Sequence, residues 1–213
     1  MKLLVAGDLT LQDRAKKCQW DTASLEDAFS QVKIITESCD VAIVNLESPV
    51  TMCKKQILKD GPILKNITAV FDIIKYCGFN CVTLANNHLN DYGSEGVLDT
   101  IKACKSQSID MVGAGNDIVE SRKPLIIRSK DVSIGVLNVC EHESSIATIT
   151  KPGAAPLDFP NLYNDIRELK NLVDFVVLII HGGREYYQLP TPRMKKEYSL
   201  HYSWTLASFS LNI

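Results

Sequence analysis

Apolar segments alternate with segments of helical periodicity along most of the chain. The apolar runs are short and continuous, as in "DVAIVN" (40–45), "NCVTLA" (80–85) and "DFVVLIIHGG" (174–183). Such runs, when turn residues bound them, are typical of strands that are buried on both faces of a sheet. Because amphipathic helical patterns separate them, the sequence predicts an α/β fold with layered helices and sheets.

The segment "SLEDAFSQVKIITES" (24–38) illustrates the helical pattern. Its apolar positions recur every three or four residues, as expected for one face of a helix. Ser24 precedes this pattern and is predicted to be the N-cap of the helix. The residues predicted to face the core are Leu25, Ala28, Phe29, Val32 and Ile35. The same periodicity predicts helices over 66–78, 94–105 and 161–173.

The composition limits the possible functions without choosing one. The chain has 213 residues, and its hydrophobic content of 46% is enough for a buried core in a single α/β domain. The formal net charge is −2 with no run of like charges, so no surface for nucleic acid or for an acidic membrane is indicated. The start "MKLLVAGDLT" is too short for a signal peptide and no apolar run is long enough for a transmembrane segment, so we expect a cytoplasmic protein. The seven cysteines are scattered without a C-x-x-C motif, which predicts buried free thiols rather than a metal or redox site.

Four of the predicted strands end in polar residues. Any one of these ends could be a simple turn, a cap, a surface ion pair or a buried histidine. Ligands of parallel sheets gather at the carboxyl ends of the strands, however, and carboxylate, amide and imidazole groups together suit a divalent ion such as Mn, Fe or Zn. The four strand ends are Gly7-Asp8, Asn45-Leu46-Glu47, Asn86-Asn87-His88 and His181-Gly182-Gly183.

Four motifs in these same places resemble a known family. They are "GD" (7–8), "NLESP" (45–49), "ANNHLNDYG" (85–93) and "HGGREY" (181–186). The family is the CapA family of bacterial capsule and poly-γ-glutamate synthesis proteins, within the calcineurin-like metallophosphoesterase superfamily. The resemblance implies a layered α/β/β/α sandwich, incomplete at the C-terminus, over residues 1–198. It also implies a metal-dependent phosphoesterase whose substrate is a phosphoester or an anionic capsule polymer.

The resemblance further implies roles for individual residues. Asp8 would bind a first metal ion, Glu47 would bridge two ions, and Asn87 and His181 would bind the second. His88 would be a proton donor to the leaving oxygen and, with Asp8, would make up the catalytic pair. The ions would be Mn²⁺, Zn²⁺ or Fe. The residues implied to contact the substrate or to support the ligands are Asn45, Asn86, Asp91, Arg184, Glu185 and Tyr186.

Two departures from the family pattern change this expectation. Thr10 stands where the wider superfamily has the histidine of a D-x-H motif, as is common in the capsule family. The later G-x-H-x-H motif is missing, and the resemblance ends after Tyr198, so we expect an aberrant tail over 199–213 and a truncated or shifted reading frame near residue 199. With these ligands lost, the sequence predicts one well-occupied metal ion, held by Glu47, Asn87 and His181.

Other functions are left open by the residues. The chain could be a catalytically inactive remnant that binds polymer or a partner protein. Hydrolysis by Asp8, His88 and His181 without metal lacks a nucleophile, because no G-x-S-x-G motif occurs and Cys140 near His142 is explained as a loop thiol. A dinucleotide site at "GAGN" (113–116) lacks the third glycine of the usual fingerprint. The oligomeric state is not indicated.

Overall fold

The computed structural model describes residues 1–13, 15–129, 131–141, 144–183, 189–202 and 207–211. The chain divides into two compact units. The first unit comprises Met1–Leu84 and His88–Met111, and the second comprises Ala85–Asn87 and Val112–Ile213. The prediction of one domain over 1–198 with a tail over 199–213 stays a prediction.

The first unit contains a four-stranded sheet in the order β1-β2-β3-β4. β2 pairs in parallel with both β1 and β3, so the carboxyl ends of these strands lie at one edge of the sheet. The strands are β1 (Leu3–Leu9), β2 (Val41–Leu46), β3 (Cys81–Thr83) and β4 (Asp110–Val112). The helices are α1 (Thr22–Glu37), α2 (Val70–Tyr76) and α3 (Gly93–Ser106).

The second unit contains a four-stranded sheet in the order β10-β9-β7-β6 and a small two-stranded sheet of β5 and β8. In the larger sheet, β7, β9 and β10 are parallel, while β6 is antiparallel to β7. The strands are β5 (Ala114–Gly115), β6 (Leu125–Arg128), β7 (Ser133–Cys140), β8 (Gly153–Ala154), β9 (Phe175–His181) and β10 (Ala207–Leu211). The helices are α4 (Ile118–Ser121), α5 (Phe159–Leu169) and α6 (Pro192–Tyr202).

The apolar runs in the sequence form the central strands of the two sheets. Every residue of β2 and of β7 is buried, as is every residue of β9 after the first. β1 is half-buried and lies at the edge of its sheet, and its residues Gly7 and Asp8 are exposed. The predicted α/β fold class, with buried parallel strands between helices, is confirmed.

α1 differs from its prediction at its N-cap and at two of the five residues predicted to face the core. Its N-cap is Asp21 rather than Ser24, because the Asp21 carboxylate accepts a hydrogen bond from the Ser24 N–H (2.9 Å). Ile35 is 55% exposed and Ala28 is also exposed, although both were predicted to face the core. At about 100° per residue, the buried Leu25 and Thr36 define a narrow stripe of the helix, and Ile35 lies roughly 80° away from Leu25.

The seven cysteines are free, and five of them are buried. Burial raises the pKa of the Cys77 thiol to about 11 and that of the Cys104 thiol to about 12. Thiols with such pKa values stay protonated at neutral pH, so they are poor nucleophiles. The prediction of buried free thiols is confirmed for these five cysteines and is wrong for Cys18, which is exposed, and for Cys39, which is half-buried. Among the described residues, no helix is long and apolar enough to span a bilayer.

The apolar face of α5 packs against β7 and β9 in the core of the second unit. Leu162, Ile166 and Leu169 are each 1% exposed, and they join a buried cluster that includes Leu178 of β9. The helical spacing of these three residues was the pattern that predicted the helix. Close packing continues to the strand itself, since a Cβ at Gly135 would lie 2.6 Å from Leu169 Cδ1.

Replacing Leu178 by alanine should destabilise the protein by about 2–5 kcal/mol, because the substitution leaves a cavity in this cluster. Urea denaturation followed by circular dichroism would measure the free energy of unfolding. Leu172 is 57% exposed, so Leu172→Ala is a matched control with an expected effect of about 0.5 kcal/mol or less. Equal effects of the two substitutions would contradict the described core.

Ser133 and Asp174 fix the register of β7 and β9 at the beginning of the two strands. The main-chain N–H and the hydroxyl of Ser133 both donate to Asp174 Oδ2, at 2.7 and 2.6 Å. The hydroxyl bond and then the main-chain bond hold the pKa of the exposed Asp174 carboxyl below its usual value. At the other end of the paired strands, Cys140 lies opposite His181.

The contribution of Asp174 to stability should depend on pH. Its pKa is lowered in the folded state, so its stabilisation is present above the unfolded pKa of about 3.9 and is lost as the pH falls through the folded pKa. The melting temperature of wild type should therefore exceed that of Asp174→Asn at pH 7, and the difference should shrink as the pH is lowered below about 4. A difference that stays constant from pH 7 to pH 2 would refute this account.

Candidate functional site

Asp8 and Asn45 lie side by side at the carboxyl ends of β1 and β2. They are register partners in the parallel pair, and Asn45 Nδ2 donates a hydrogen bond to Asp8 Oδ1 (2.6 Å). Asn45 Oδ1 in turn accepts a hydrogen bond from the Thr83 hydroxyl on β3 (3.1 Å). This row of side chains across three strands orients the exposed Asp8 carboxylate, while the amide of Asn45 stays buried.

Glu47 follows β2 directly and is only 8% exposed. Within the described part of the chain, no residue donates a hydrogen bond to its carboxylate. Burial raises the pKa of Glu47, the Asp8 and Asp91 carboxylates raise it further, and His88 and Lys59 oppose the rise. A buried carboxylate beside other carboxylates is costly unless a cation compensates the charge. The environment of Glu47 therefore fits a bound cation.

The chain turns sharply after Glu47, and the buried amide of Asn66 holds this turn. Ser48 has a φ of 74°, in the left-handed region that a non-glycine residue rarely adopts. Asn66 Nδ2 donates to Glu47 O (2.6 Å) and to Ser48 Oγ (3.1 Å). Asn66 Oδ1 accepts from the Leu11 N–H (2.7 Å), just beyond β1. One amide thus connects the ends of the strands that carry Asp8 and Glu47.

His88 and Asp91 form a buried pair in the first unit. His88 Nδ1 lies 2.7 Å from Asp91 Oδ2, and the two residues are 6% and 0% exposed. The same carboxylate oxygen accepts the Leu64 N–H (2.7 Å). An ionised carboxylate can only accept, so the proton in this contact belongs to Nδ1 of the imidazole. Asp91 therefore fixes the orientation of His88 and leaves Nε2 for other partners.

Lys59 is a residue of this group that the sequence analysis missed. Its Nζ lies 2.5 Å from Asp91 Oδ1 and 3.1 Å from His88 Nδ1. It comes from the segment after β2, which has neither helical nor strand periodicity, so no pattern in the sequence could place it.

In the second unit, Asn87 and His181 lie in contact. His181 ends β9 and is 1% exposed, and its Nε2 lies 3.1 Å from Asn87 Oδ1. Two ligands of one ion with bonds of about 2.1 Å are typically about 3.0–3.4 Å apart. An amide oxygen and an imidazole nitrogen at this spacing fit a pair of ligands for a divalent ion of the Mn, Fe or Zn kind.

Asn138 holds this pair together from inside β7. Its Oδ1 accepts the Ala85 N–H (2.7 Å), and its Nδ2 donates to Ile179 O on β9 (3.2 Å). The short segment that ends in Asn87 is thereby attached to the strand that ends in His181. A signal for Asn138 did exist in the sequence, because an amide inside the apolar run "VSIGVLNVC" (132–140) must have hydrogen-bond partners when it is buried.

Gly113 makes room for Asn138. A Cβ at this glycine would lie 2.0 Å from Asn138 Oδ1, and its φ of 92° is unfavourable for other residues. The first glycine of "GAGN" (113–116) therefore has a packing role, and this explains the motif without a dinucleotide.

The remaining predicted residues are placed as follows. Asn86 is fully buried next to Asn87. Cys140 ends β7 and is buried, whereas the sequence suggested a loop thiol. Arg184, Glu185, Tyr186 and His142 lie outside the described residues. Among the described residues, no group of three or more histidine, cysteine, aspartate or glutamate side chains is arranged to hold a metal ion. The prediction that Asp8, Glu47, Asn87 and His181 share cations stays a prediction.

Replacing Asn138 by leucine should destabilise the protein by about 2–4 kcal/mol, because it leaves the Ala85 N–H and the Ile179 carbonyl unpaired. Hydrogen exchange followed by NMR should also show that the Ala85 amide loses protection relative to amides elsewhere in the second unit. Asn171 is exposed, and Asn171→Leu should change neither quantity appreciably. An unchanged exchange rate at Ala85 in Asn138→Leu would show that this hydrogen bond does not hold the segment.

Comparison with known proteins adds family and fold to this geometry. The model of a family described as bacterial capsule synthesis protein PGA_cap matches residues 2–201. The chain is 27% identical over 204 residues to the capsule biosynthesis protein CapA of Bacillus anthracis, covering 92% of this chain and 49% of that protein. It is 31% identical over 195 residues to the PGA biosynthesis protein CapA of Bacillus subtilis strain 168, covering 89% and 51%. The chain thus spans about half the length of the curated relatives it matches.

The fold resembles that of a solved phosphatase. The crystal structure of a novel phosphatase from Mycoplasma pneumoniae superposes with a TM-score of 0.55 at 18% identity, covering 99% of this chain and 64% of that one. A likeness at this identity concerns the fold alone. It confirms the predicted phosphoesterase-like α/β fold class.

Proposed function

The chain belongs to the family of bacterial capsule synthesis proteins that the PGA_cap model describes, and on that premise we propose that it is a metal-dependent phosphoesterase. Its substrate would be a phosphoester or an anionic polymer of the poly-γ-glutamate type, in keeping with the names of its relatives. The observation that carries the proposal is the buried Glu47 carboxylate, which lies in the field of two other carboxylates and has no described hydrogen-bond donor.

The proposed ligands of the divalent cation are the carboxylates of Asp8 and Glu47, the amide oxygen of Asn87 and the imidazole of His181. Oxygen and nitrogen donors of this kind suit Mn²⁺, Zn²⁺ or Fe. When bound, such an ion supplies Lewis-acid stabilisation of the charge on a phosphoryl group.

His88 would donate a proton to the leaving oxygen. The Asp91 carboxylate holds Nδ1–H, at 2.7 Å, so the imidazole is fixed before substrate arrives. In its doubly protonated form, His88 carries at Nε2 the proton that a leaving oxygen requires. Fixed orientation matters because proton transfer needs the donor within hydrogen-bond reach of the leaving atom. Asp91 is therefore a positioning residue for His88.

A second candidate function is binding of an anionic polymer without turnover. It is favoured by the lack, among the described residues, of any group of three acidic, histidine or cysteine side chains arranged around a metal. Such a binding module would need the cationic residues of the chain but neither His88 nor a metal ion.

Titration with Mn²⁺ by calorimetry, together with hydrolysis of p-nitrophenyl phosphate, would separate these functions. Glu47→Gln should weaken Mn²⁺ binding by about tenfold or more and abolish turnover, because the amide lacks the carboxylate charge. His88→Ala should leave Mn²⁺ binding unchanged and lower kcat by about 10²–10⁴. Glu95 is exposed on α3, and Glu95→Gln serves as the matched control.

The outcomes of this experiment are distinct. One Mn²⁺ site with turnover that disappears on chelation supports the phosphoesterase. Mn²⁺ binding without turnover at high protein concentration would favour the binding module. Failure to bind any divalent ion would overturn the metal-dependent proposal, and two tight sites would contradict the expectation of one well-occupied ion.

A further inference from the structure

The segment 51–66, which we call the lysine loop, lies next to the His88–Asp91 pair. It follows β2 and contains no helix or strand apart from an isolated bridge at Asn66. It is strongly basic, with Asp60 as its acidic residue. Its lysines are Lys54, Lys55, Lys59 and Lys65.

The lysine loop is attached to Asp91 and Tyr92, which lie three and four residues after His88, the predicted proton donor. The Ile57 N–H donates to the main-chain oxygen of Asp91 (3.0 Å), and the Leu64 N–H donates to its carboxylate (2.7 Å). Lys65 Nζ lies 4.7 Å from the centre of the Tyr92 ring, a distance typical of a cation–π contact. These three attachments on both sides of Lys59 fix where its side chain can reach.

Lys59 is the lysine of this loop that lies against the candidate catalytic residues. Lys54 and Lys55 are exposed, and Lys65 contacts Tyr92. The Lys59 side chain is 11% exposed, and its ammonium lies 2.5 Å from Asp91 Oδ1 and 3.1 Å from His88 Nδ1. Since Nδ1 carries the proton shared with Asp91, it cannot accept a hydrogen bond from Lys59. An ammonium has three N–H donors, so Lys59 can neutralise Asp91 and still donate to a bound anion.

The charges around Glu47 indicate how Lys59 would affect the binding of an anionic substrate. Burial and the carboxylates of Asp8 and Asp91 raise the pKa of the Glu47 carboxyl, whereas His88 and Lys59 lower it. The carboxylates of Asp8, Glu47 and Asp91 outnumber the Lys59 ammonium, and a divalent ion would reduce this excess of negative charge. Without Lys59 the same site would keep a negative charge and would repel an anionic ligand.

We propose that Lys59 is an anion-binding residue of the candidate site, required for ligands that carry phosphate or carboxylate groups. The inference rests on the proposed function, because it assigns the substrate class of that same site. Lys59 balances the Asp91 charge and directs its remaining donors to the anion, so a neutral ligand would gain nothing from it. A purely structural ion pair between Lys59 and Asp91 is the competing explanation.

Calorimetric titration of inorganic phosphate into Mn²⁺-loaded protein would test this role. Lys59→Met should weaken phosphate binding by about tenfold or more, because it removes a charge-assisted donor. Lys59→Gln retains a donor toward Asp91 without the charge, and it should weaken phosphate binding similarly if Lys59→Met fails to fold. Lys59→Arg should restore affinity to within about threefold of wild type. Lys54→Met removes an exposed lysine of the same loop and should change nothing.

Mn²⁺ uptake by the same variants separates this inference from the proposed function. Lys59→Met and Lys59→Gln should bind Mn²⁺ at least as tightly as wild type, because both substitutions remove a positive charge near Glu47. If wild-type protein takes up no Mn²⁺, the metal-dependent function is contradicted. The role of Lys59 is then decided by comparing the phosphate affinities of wild type and the same lysine variants in metal-free protein. The inference is overturned if wild type binds no phosphate, if folded Lys59→Gln binds it as tightly as wild type, or if Lys54→Met weakens it equally.

Discussion

The buried carboxylate of Asp91 is the constraint on which the candidate site of the first unit depends. It is fully buried, and it contacts the Leu64 N–H, the His88 imidazole and the Lys59 ammonium. A buried anion is tolerated only when hydrogen bonds and opposite charge replace its lost hydration. The same requirement therefore fixes three things at once: the path of the lysine loop, the orientation of the histidine and the position of a cation.

A buried asparagine performs a similar task in each unit. Asn66 connects the chain after β1 to the turn after β2, and Asn138 connects the segment before Asn87 to β9. An amide suits this position because it donates and accepts at once without a charge. Both are almost completely shielded from solvent, so a nonpolar replacement would leave main-chain groups unpaired. The loops that carry candidate ligands are thus tied to the sheets from inside rather than at their surface.

The sequence predicted what periodicity can encode and missed what only long-range contacts define. α5 and the buried strands followed from spacing and from continuous apolar runs, and Glu47 was singled out because polar residues at strand ends are conspicuous. Ile35 was misassigned because a short helical pattern cannot define how wide the buried stripe is. Lys59 could not be placed, because it lies in an irregular loop and its contact with His88 spans 29 residues of the chain. Asn138 is recognisable in the sequence as an amide within an apolar run. Its partners could not be predicted, because they lie 53 and 41 residues away along the chain.

The pairing of β7 with β9 links the exposed residue Asp174 to the position of the buried residue His181. The strands are aligned residue by residue from Ile134 opposite Phe175 to Cys140 opposite His181, a length of roughly 20 Å. Side chains alternate between the two faces of a strand, so a slip by a single position would carry the His181 imidazole to the opposite face and away from Asn87. The exposed contact of Asp174 with Ser133 thus helps to set the position of His181, a candidate ligand at the other end of the same strand. A substitution at Asp174 could therefore shift the His181 imidazole without changing any residue that contacts it.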